Sequence, residues 1–227
     1  MNNKLSIEEL LLNELNGQND WDDICLNHIL TDELINAFPN KINWDKVSKN
    51  QHISEQFIDN HKNEVNWYFI ITNQNLSIQF IESHMDYFEM SNVCIYQNLS
   101  EDFIKKYQDK INWNLISIYQ NLSEQFIEEF SNKLDWLMIS INQQLSESFI
   151  IKHLDKLNMI NISINQCLSE QFIEQYQNKL KWDYISKYQK LSKTFIEKHK
   201  DKINFKLLKT NRFYREEQNK CRSQKLH

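Results

Sequence analysis

The sequence predicts an all-α fold, an α-solenoid of short helix-turn-helix repeats with a 23-residue period and about nine units. Three observations predict it. Trp21, Trp44, Trp67, Trp113, Trp136 and Trp182 are separated by 23 residues or a multiple of 23, and Met90, Met159 and Phe205 fill the missing slots. Within each unit the apolar residues recur at helical spacing. Finally, one glycine (Gly17) and one proline (Pro39) in 227 residues leave almost none of the punctuation on which sandwiches, barrels and dinucleotide-binding folds depend.

With the tryptophan as position 1, position 4 is Ile, Val or Leu in every unit, position 10 is Leu or Ile through Leu191, and position 14 is Phe from Phe57 to Phe195. Position 15 is Ile from Ile35 to Ile196, position 22 is apolar, and position 18 is a planar ring, among them Phe38, His61, Tyr107 and His199. Positions 1, 4, 5 and 8 share one helical face and positions 14, 15, 18 and 22 another, so each unit holds two helices of about eight to ten residues. Helices that short do not survive alone in water, and stacking of each unit on the next must supply the stability. A leucine-rich-repeat horseshoe has a similar period, but it needs alternating apolar strand residues, and Lys49, Thr72 and Lys187 at position 6 break that pattern.

Thr31 and then serines from Ser54 to Ser192 occupy position 11, usually followed by Glu, which marks the N-cap of the second helix. Position 23 is mostly Asn or Asp and would cap the first helix in the same way. At position 20, Asn40, Asp86, Asp109 and their counterparts tolerate a left-handed turn and would end the second helix without glycine. Gln51, Gln74, Gln97, Gln120, Gln143, Gln166 and Gln189 repeat at position 8. Their amides form either a ladder satisfying the neighbouring turn's backbone or a row that reads a ligand.

The ends depart from the pattern. Residues 1–20 read as an N-terminal capping half-repeat, with Ser6 and Glu9 as a capping box and Leu5 against Leu10 as a staple. Residues 21–204 are eight full repeats. Residues 205–227 form a degenerate basic C-terminal capping repeat or a tail, since Gln218 and Asn219 replace the Phe and Ile of positions 14 and 15.

The unit WDYISKYQKLSKTFIEKHKDKIN, residues 182–204, resembles the Trp- and Phe-anchored 23-residue repeats of uncharacterised tandem-repeat proteins of giant DNA viruses. The likeness runs from Trp21 to Asn204 and lies in pattern and in Asn/Ile/Lys-rich composition. It implies a viral origin and carries over no catalytic residue.

Net charge is -5, but the last repeat is about +5, which leaves about -10 on the body and argues against a phosphate-tracking surface there. No apolar run approaches the ~20 residues of a membrane span. Together with Cys25, Cys94, Cys167 and Cys221 at no metal-binding or redox spacing, this predicts a cytoplasmic protein, in the host cell if viral. His61, His84, His153 and His199 share a slot with Phe and Tyr, so they read as packing rings rather than ligands, and no metal or cofactor is expected. Cys25 and Cys94 share position 5 with serines and read as small packing residues. Acidic residues at positions 12 and 16 read as a solvated face. No phosphate loop, nucleophile elbow or metalloprotease motif occurs, and the chain reads as a non-enzyme.

The feature that points to function is the other face of the first helix, positions 2, 3, 6 and 7. Repeats one, two and eight place Asp22, Asp23, Asp45, Lys46, Lys49, Asp183 and Lys187 there. The middle repeats place Tyr68, Phe69, Ile95, Tyr96, Leu115, Ile118, Tyr119, Leu137, Met138, Ile141, Ile160 and Ile164 there instead. Soluble proteins seldom leave such a surface open without a partner. The expectation is a protein-protein interaction scaffold that binds a partner, a host protein if the chain is viral, along this stripe. Burial of the stripe between neighbouring first helices is the plain alternative. Two rival functions remain: self-association as a homodimer, and RNA or single-stranded nucleic-acid binding by helical repeats, which the acidic body disfavours.

Overall fold

A computed structural model of the chain describes residues 10–216, apart from 11, 12, 15, 18 and 29. Among the described residues the regular structure is helical throughout, with no strand, and no helix is long and apolar enough to cross a membrane. The chain divides into two compact units, Met1–Asn112 and Trp113–His227, at a repeat boundary. Each unit is an α-solenoid of helix-turn-helix repeats.

The first unit holds α1 (Trp21–Asn27), α2 (Asp32–Ala37), α3 (Trp44–Asn50), α4 (Glu55–Asn60), α5 (Trp67–Asn73), α6 (Ile78–Ser83), a 3-10 turn at Met85–Tyr87, α7 (Met90–Tyr96) and α8 (Glu101–Lys106). In the second lie α9 (Trp113–Tyr119), α10 (Glu124–Glu129), α11 (Trp136–Asn142), α12 (Glu147–Lys152), α13 (Met159–Asn165), α14 (Glu170–Gln175), α15 (Trp182–Tyr188), α16 (Lys193–Lys198) and α17 (Phe205–Leu208). Odd-numbered helices are the first of each repeat. They pack in succession, α1 on α3, α3 on α5 and α5 on α7, and then α9 through α11, α13 and α15 to α17.

Both caps form where the predicted residue types stand, while Glu89 and Lys181 at position 23 make no capping bond. The Asp135 carboxylate accepts the N–H groups of Leu137 and Met138 at 2.9 and 3.2 Å, and the Ser146 hydroxyl accepts that of Phe149 at 3.1 Å. Such a cap contributes about 1 kcal/mol, a large share for a helix of one and a half to two turns. The helices are shorter than the expected eight to ten residues: α11 has seven and α12 has six. The first ends because position 8 leaves the helix for extended backbone, at φ -90° and ψ 147° in Gln143.

The second helix does not end in a left-handed residue. Among the described residues only Gly17 has a positive φ, of 64°. Instead the position-18 ring residue sits at φ -107° and ψ 26° in Phe130, and the N–H groups of Lys133 and Leu134 return to its carbonyl at 2.9 and 3.2 Å. The described repeats thus turn without a left-handed residue, which is why they need no glycine.

In the repeats that carry both tryptophan and the position-14 Phe, these two rings and the position-18 ring pack against one another. Trp136 lies 6.3 Å from Phe149 and 5.0 Å from His153, centroid to centroid, and Trp182 lies 6.3 Å from Phe195 and 5.3 Å from His199. Ring shape is therefore what the slot selects. The tryptophan's outer face is half-exposed, and a position-21 lysine covers it, with the Lys156 ammonium 4.9 Å from the Trp136 ring. Behind this layer Ile139, Ile150, Ile162 and Ile173 are completely buried.

Between repeats the glutamine ladder is structural. Gln189 Nε2 donates to the Ser163 and Gln166 carbonyls at 3.0 and 2.7 Å, and its Oε1 accepts the N–H of Leu168 at 3.0 Å. Gln51, Gln74, Gln97, Gln143 and Gln166 do the same work on the turn before them. The position-5 serines form a second rung: Ser140 Oγ donates to the Trp136 carbonyl at 2.7 Å and accepts the N–H of Asn158 at 3.0 Å. Cys25 stands in through its sulfur, 3.3 Å from the N–H of Asn43. Ile71 has no such acceptor, and at that junction the 3-10 turn replaces the usual ending and places Tyr87 4.2 Å from Trp67.

The N-terminal box of Ser6 and Glu9 and the staple residue Leu5 lie outside the described residues. Leu10 is buried in the first repeat's core, and Glu14 accepts from Trp21 Nε1 at 2.7 Å and pairs with Lys41 at 2.7 Å. At the other end Asn211, one place before the glutamine slot, completes the ladder. Its Nδ2 donates to the Ser186 and Gln189 carbonyls at 3.0 and 2.8 Å, while its Oδ1 accepts from Phe213 and Tyr214. The described part of the last repeat is thus a folded end unit; Gln218 and Asn219 lie outside the described residues.

Replacing Gln189 by Leu keeps the volume but orphans two buried carbonyls and one N–H. We expect a loss of about 3 kcal/mol and a melting temperature lowered by roughly 10 °C. Gln144→Leu, at the exposed neighbouring slot, is expected to stay within about 2 °C. Equal melting temperatures for the two variants in a thermal scan would contradict the ladder.

Candidate partner-binding face

None of the twelve stripe residues is buried. Because the first helices touch through positions 1, 4, 5 and 8, positions 2 and 7 point away from the stack and positions 3 and 6 form its shoulders. Tyr68, Tyr96, Tyr119, Leu137, Ile141 and Ile160 are exposed, Tyr68 at 56% and Tyr119 at 52%. Phe69, Ile95, Leu115, Ile118, Met138 and Ile164 are half-buried. The face divides between the units, four residues on the first and eight, from Leu115 to Ile164, on the second. Burial of the whole stripe between helices is not what the structure has.

Selectivity of exposure is the notable property. Among the described residues, every exposed large apolar side chain other than Tyr87, Ile151 and Phe205 stands at position 2, 6 or 7 of a first helix. The polar ends of the face are occupied by the chain itself. Asp22 pairs with Lys46 at 2.7 Å, which holds the Asp22 carboxyl below its usual range, while Asn66 donates to Asp45 and Asn204 to Asp183 at 2.7 and 2.8 Å. The middle side chains leave apolar area in water.

The other candidate chemistries have structural explanations. His84, His153 and His199 stack in their repeats and turn Nε2 to a carboxylate of the preceding repeat, Asp59 at 2.8 Å, Glu128 at 3.4 Å and Glu174 at 3.1 Å. Among the described residues no group of three or more His, Cys, Asp or Glu could hold a metal ion. Burial pushes the Cys25 and Cys94 thiols up, away from the reactive thiolate, while Cys167 is exposed.

The acidic positions correct the expectation of a merely solvated face. At position 12, Glu124 accepts both the N–H and the hydroxyl of Ser146, at 2.5 and 3.0 Å, and Glu147 and Glu170 bind Ser169 and Ser192 alike. At position 16, Glu128 and Glu174 reach Lys152 and Lys198 at 2.5 Å. These carboxylates link repeats. A partner about one period away in the chain is invisible to a reading of local charge, and the only available signal was the co-occurrence of Glu at 12 with Ser at 11.

Comparison with protein-family models, curated proteins and solved structures returns no match.

Lys152 first and then His153 hold the Glu128 carboxyl below its ordinary 4.5, and Lys198 and His199 do so for Glu174. Lys41, Trp21 and Asn19 pull Glu14 down to about 2. A carboxyl whose pKa is lower folded than unfolded stabilises fully above its unfolded value and loses that contribution as pH falls through the folded one. Thermal melts should therefore be level from pH 7 to about 5 and fall steadily below about 4.5. The Glu128→Gln/Glu174→Gln variant should show a shallower acid decline; an identical decline would contradict the assignment.

Proposed function

We propose that the chain is a non-enzymatic protein-binding scaffold that takes a segment of a partner protein along the apolar face of its middle first helices. The observation that carries this reading is the concentration of exposed large apolar side chains at positions 2, 6 and 7, with Tyr87, Ile151 and Phe205 the exceptions among the described residues. Tyrosines at Tyr68, Tyr96 and Tyr119 suit such a contact, since they bring large area, a polar tip and little entropy to lose. Isoleucine, leucine and methionine between them supply the dry centre. A host protein is the partner implied by the likeness to giant-virus repeats. The acidic body favours a protein over a nucleic acid.

The test is selection of a phage-displayed random peptide library on the full chain, compared with the Leu137→Lys/Ile141→Lys variant. Both side chains are exposed, so the variant should melt within about 2 °C of the parent. Clones that bind the parent and lose at least tenfold in affinity on the variant are the expected result. Clones that bind both equally, or no clones at all, would count against the face. A dimer in light scattering that the variant converts to monomer would transfer the face to self-association.

A further inference from the structure

Where the apolar face of the second unit ends, a cavity of about 430 Å³ opens between the seventh, eighth and ninth repeats. Ile164, the last apolar residue of the face, lines it, and Leu168, Tyr188 and Phe213 supply further apolar wall. Lys187, Lys190 and Arg212 also line it, and no described carboxylate does. Three cations therefore converge on a partly enclosed apolar site.

Lys187 and Arg212 meet no carboxylate in the wall of this cavity. Among the described residues none of the three lies in an ion pair. The Lys187 ammonium rests 5.0 Å from the Tyr188 ring and the Arg212 guanidinium 4.6 Å from the Phe213 ring, so aromatic faces hold them in place without neutralising them. Elsewhere the fold fills this cleft differently. The equivalent space between the first and second repeats is lined by Leu26, Asn50, His52 and their neighbours, with no Lys or Arg. Positive charge is thus a property of these residues and not of the repeat. Lys190 also lines an adjoining cavity, shared with Leu168 and Phe213, where the carboxylates Glu170 and Glu216 stand.

We infer that the partner segment carries a run of apolar residues ending in carboxylates, and that those carboxylates seat in this cavity against Lys187, Lys190 and Arg212. The inference rests on the protein-binding reading and adds its chemistry and polarity: apolar side chains over Leu137, Ile141 and Ile160, acidic groups beyond Ile164. Charges meeting in a concave, partly desolvated site attract more strongly than on open surface, and rim charges choose the partner and its register.

The probe is a phage-displayed random peptide library selected on the full chain and, in parallel, on Lys187→Glu/Arg212→Glu, with both pools sequenced. Expected is enrichment of Asp and Glu at one end of an apolar run on the parent, and at least tenfold weaker binding of those clones to the variant. Affinity of the same clones for the parent should also fall between about 50 mM and about 500 mM salt, which needs no variant to fold. Apolar clones with no acidic bias and no salt dependence would overturn the inference while leaving the face as a protein-binding surface. Absence of any enriched clone would overturn both.

Discussion

A helix of six or seven residues closes only two or three backbone hydrogen bonds of its own, and most of its N–H and C=O groups must find partners elsewhere. In this protein the partners come from the adjacent repeat. Gln189 takes two carbonyls and one N–H from the preceding turn, Ser140 joins one repeat's first helix to the next repeat's cap, and Glu124 holds the following repeat's Ser146. No buried side-chain N or O among the described residues lacks a partner. Stability is therefore a property of neighbouring pairs, and the side chains that seem polar exceptions in an apolar stack are the ones that make the stack possible.

The same arrangement separates structure from function. Positions 1, 4, 5 and 8 of the first helix face the stack and positions 11, 12, 14, 15, 16 and 18 tie the second helix to it, which accounts for nearly every recurring residue. Positions 2, 3, 6 and 7 are left over. They vary from repeat to repeat, from Asp22 and Asp45 at one end through Tyr68, Leu137 and Ile160 to Lys187. Variation on a fixed scaffold is what a repeat protein uses to shape a surface for a particular partner, and it is here that the exposed apolar side chains collect.

How much of this was legible in the sequence depended on whether a residue acts within its own repeat or across to another. The period, the buried positions 4, 14 and 15, the ring at position 18 and the caps at 11 and 23 were readable because each repeats strictly and acts locally. The helix lengths were overestimated because Gln143 falls in register with the apolar positions yet leaves the helix to use its side chain. A left-handed ending at position 20 was expected from residue type, but the carbonyl of Phe130 captures two following N–H groups and makes it unnecessary. Serine at position 5 looked merely small, and Glu at position 12 merely solvated, because each finds its partner 18 or 22 residues away. Exposure of Leu137 and Ile141 could not be read from periodicity, since core and surface positions of a short helix differ only by which neighbour arrives beside them. The charged cavity at Lys187 and Arg212 needed the ninth repeat in place.

Side chains of one repeat satisfy the backbone of another. Native-state hydrogen exchange measures it most directly at Leu145, Leu168, Asn158 and Asn204, whose N–H groups are bonded only to Gln166, Gln189, Ser140 and Ser186. The account predicts protection comparable to that of the helical N–H of Ile139, lost together with it in one cooperative opening. Exchange of those four at the rate of an open turn, while Ile139 stays protected, would contradict it.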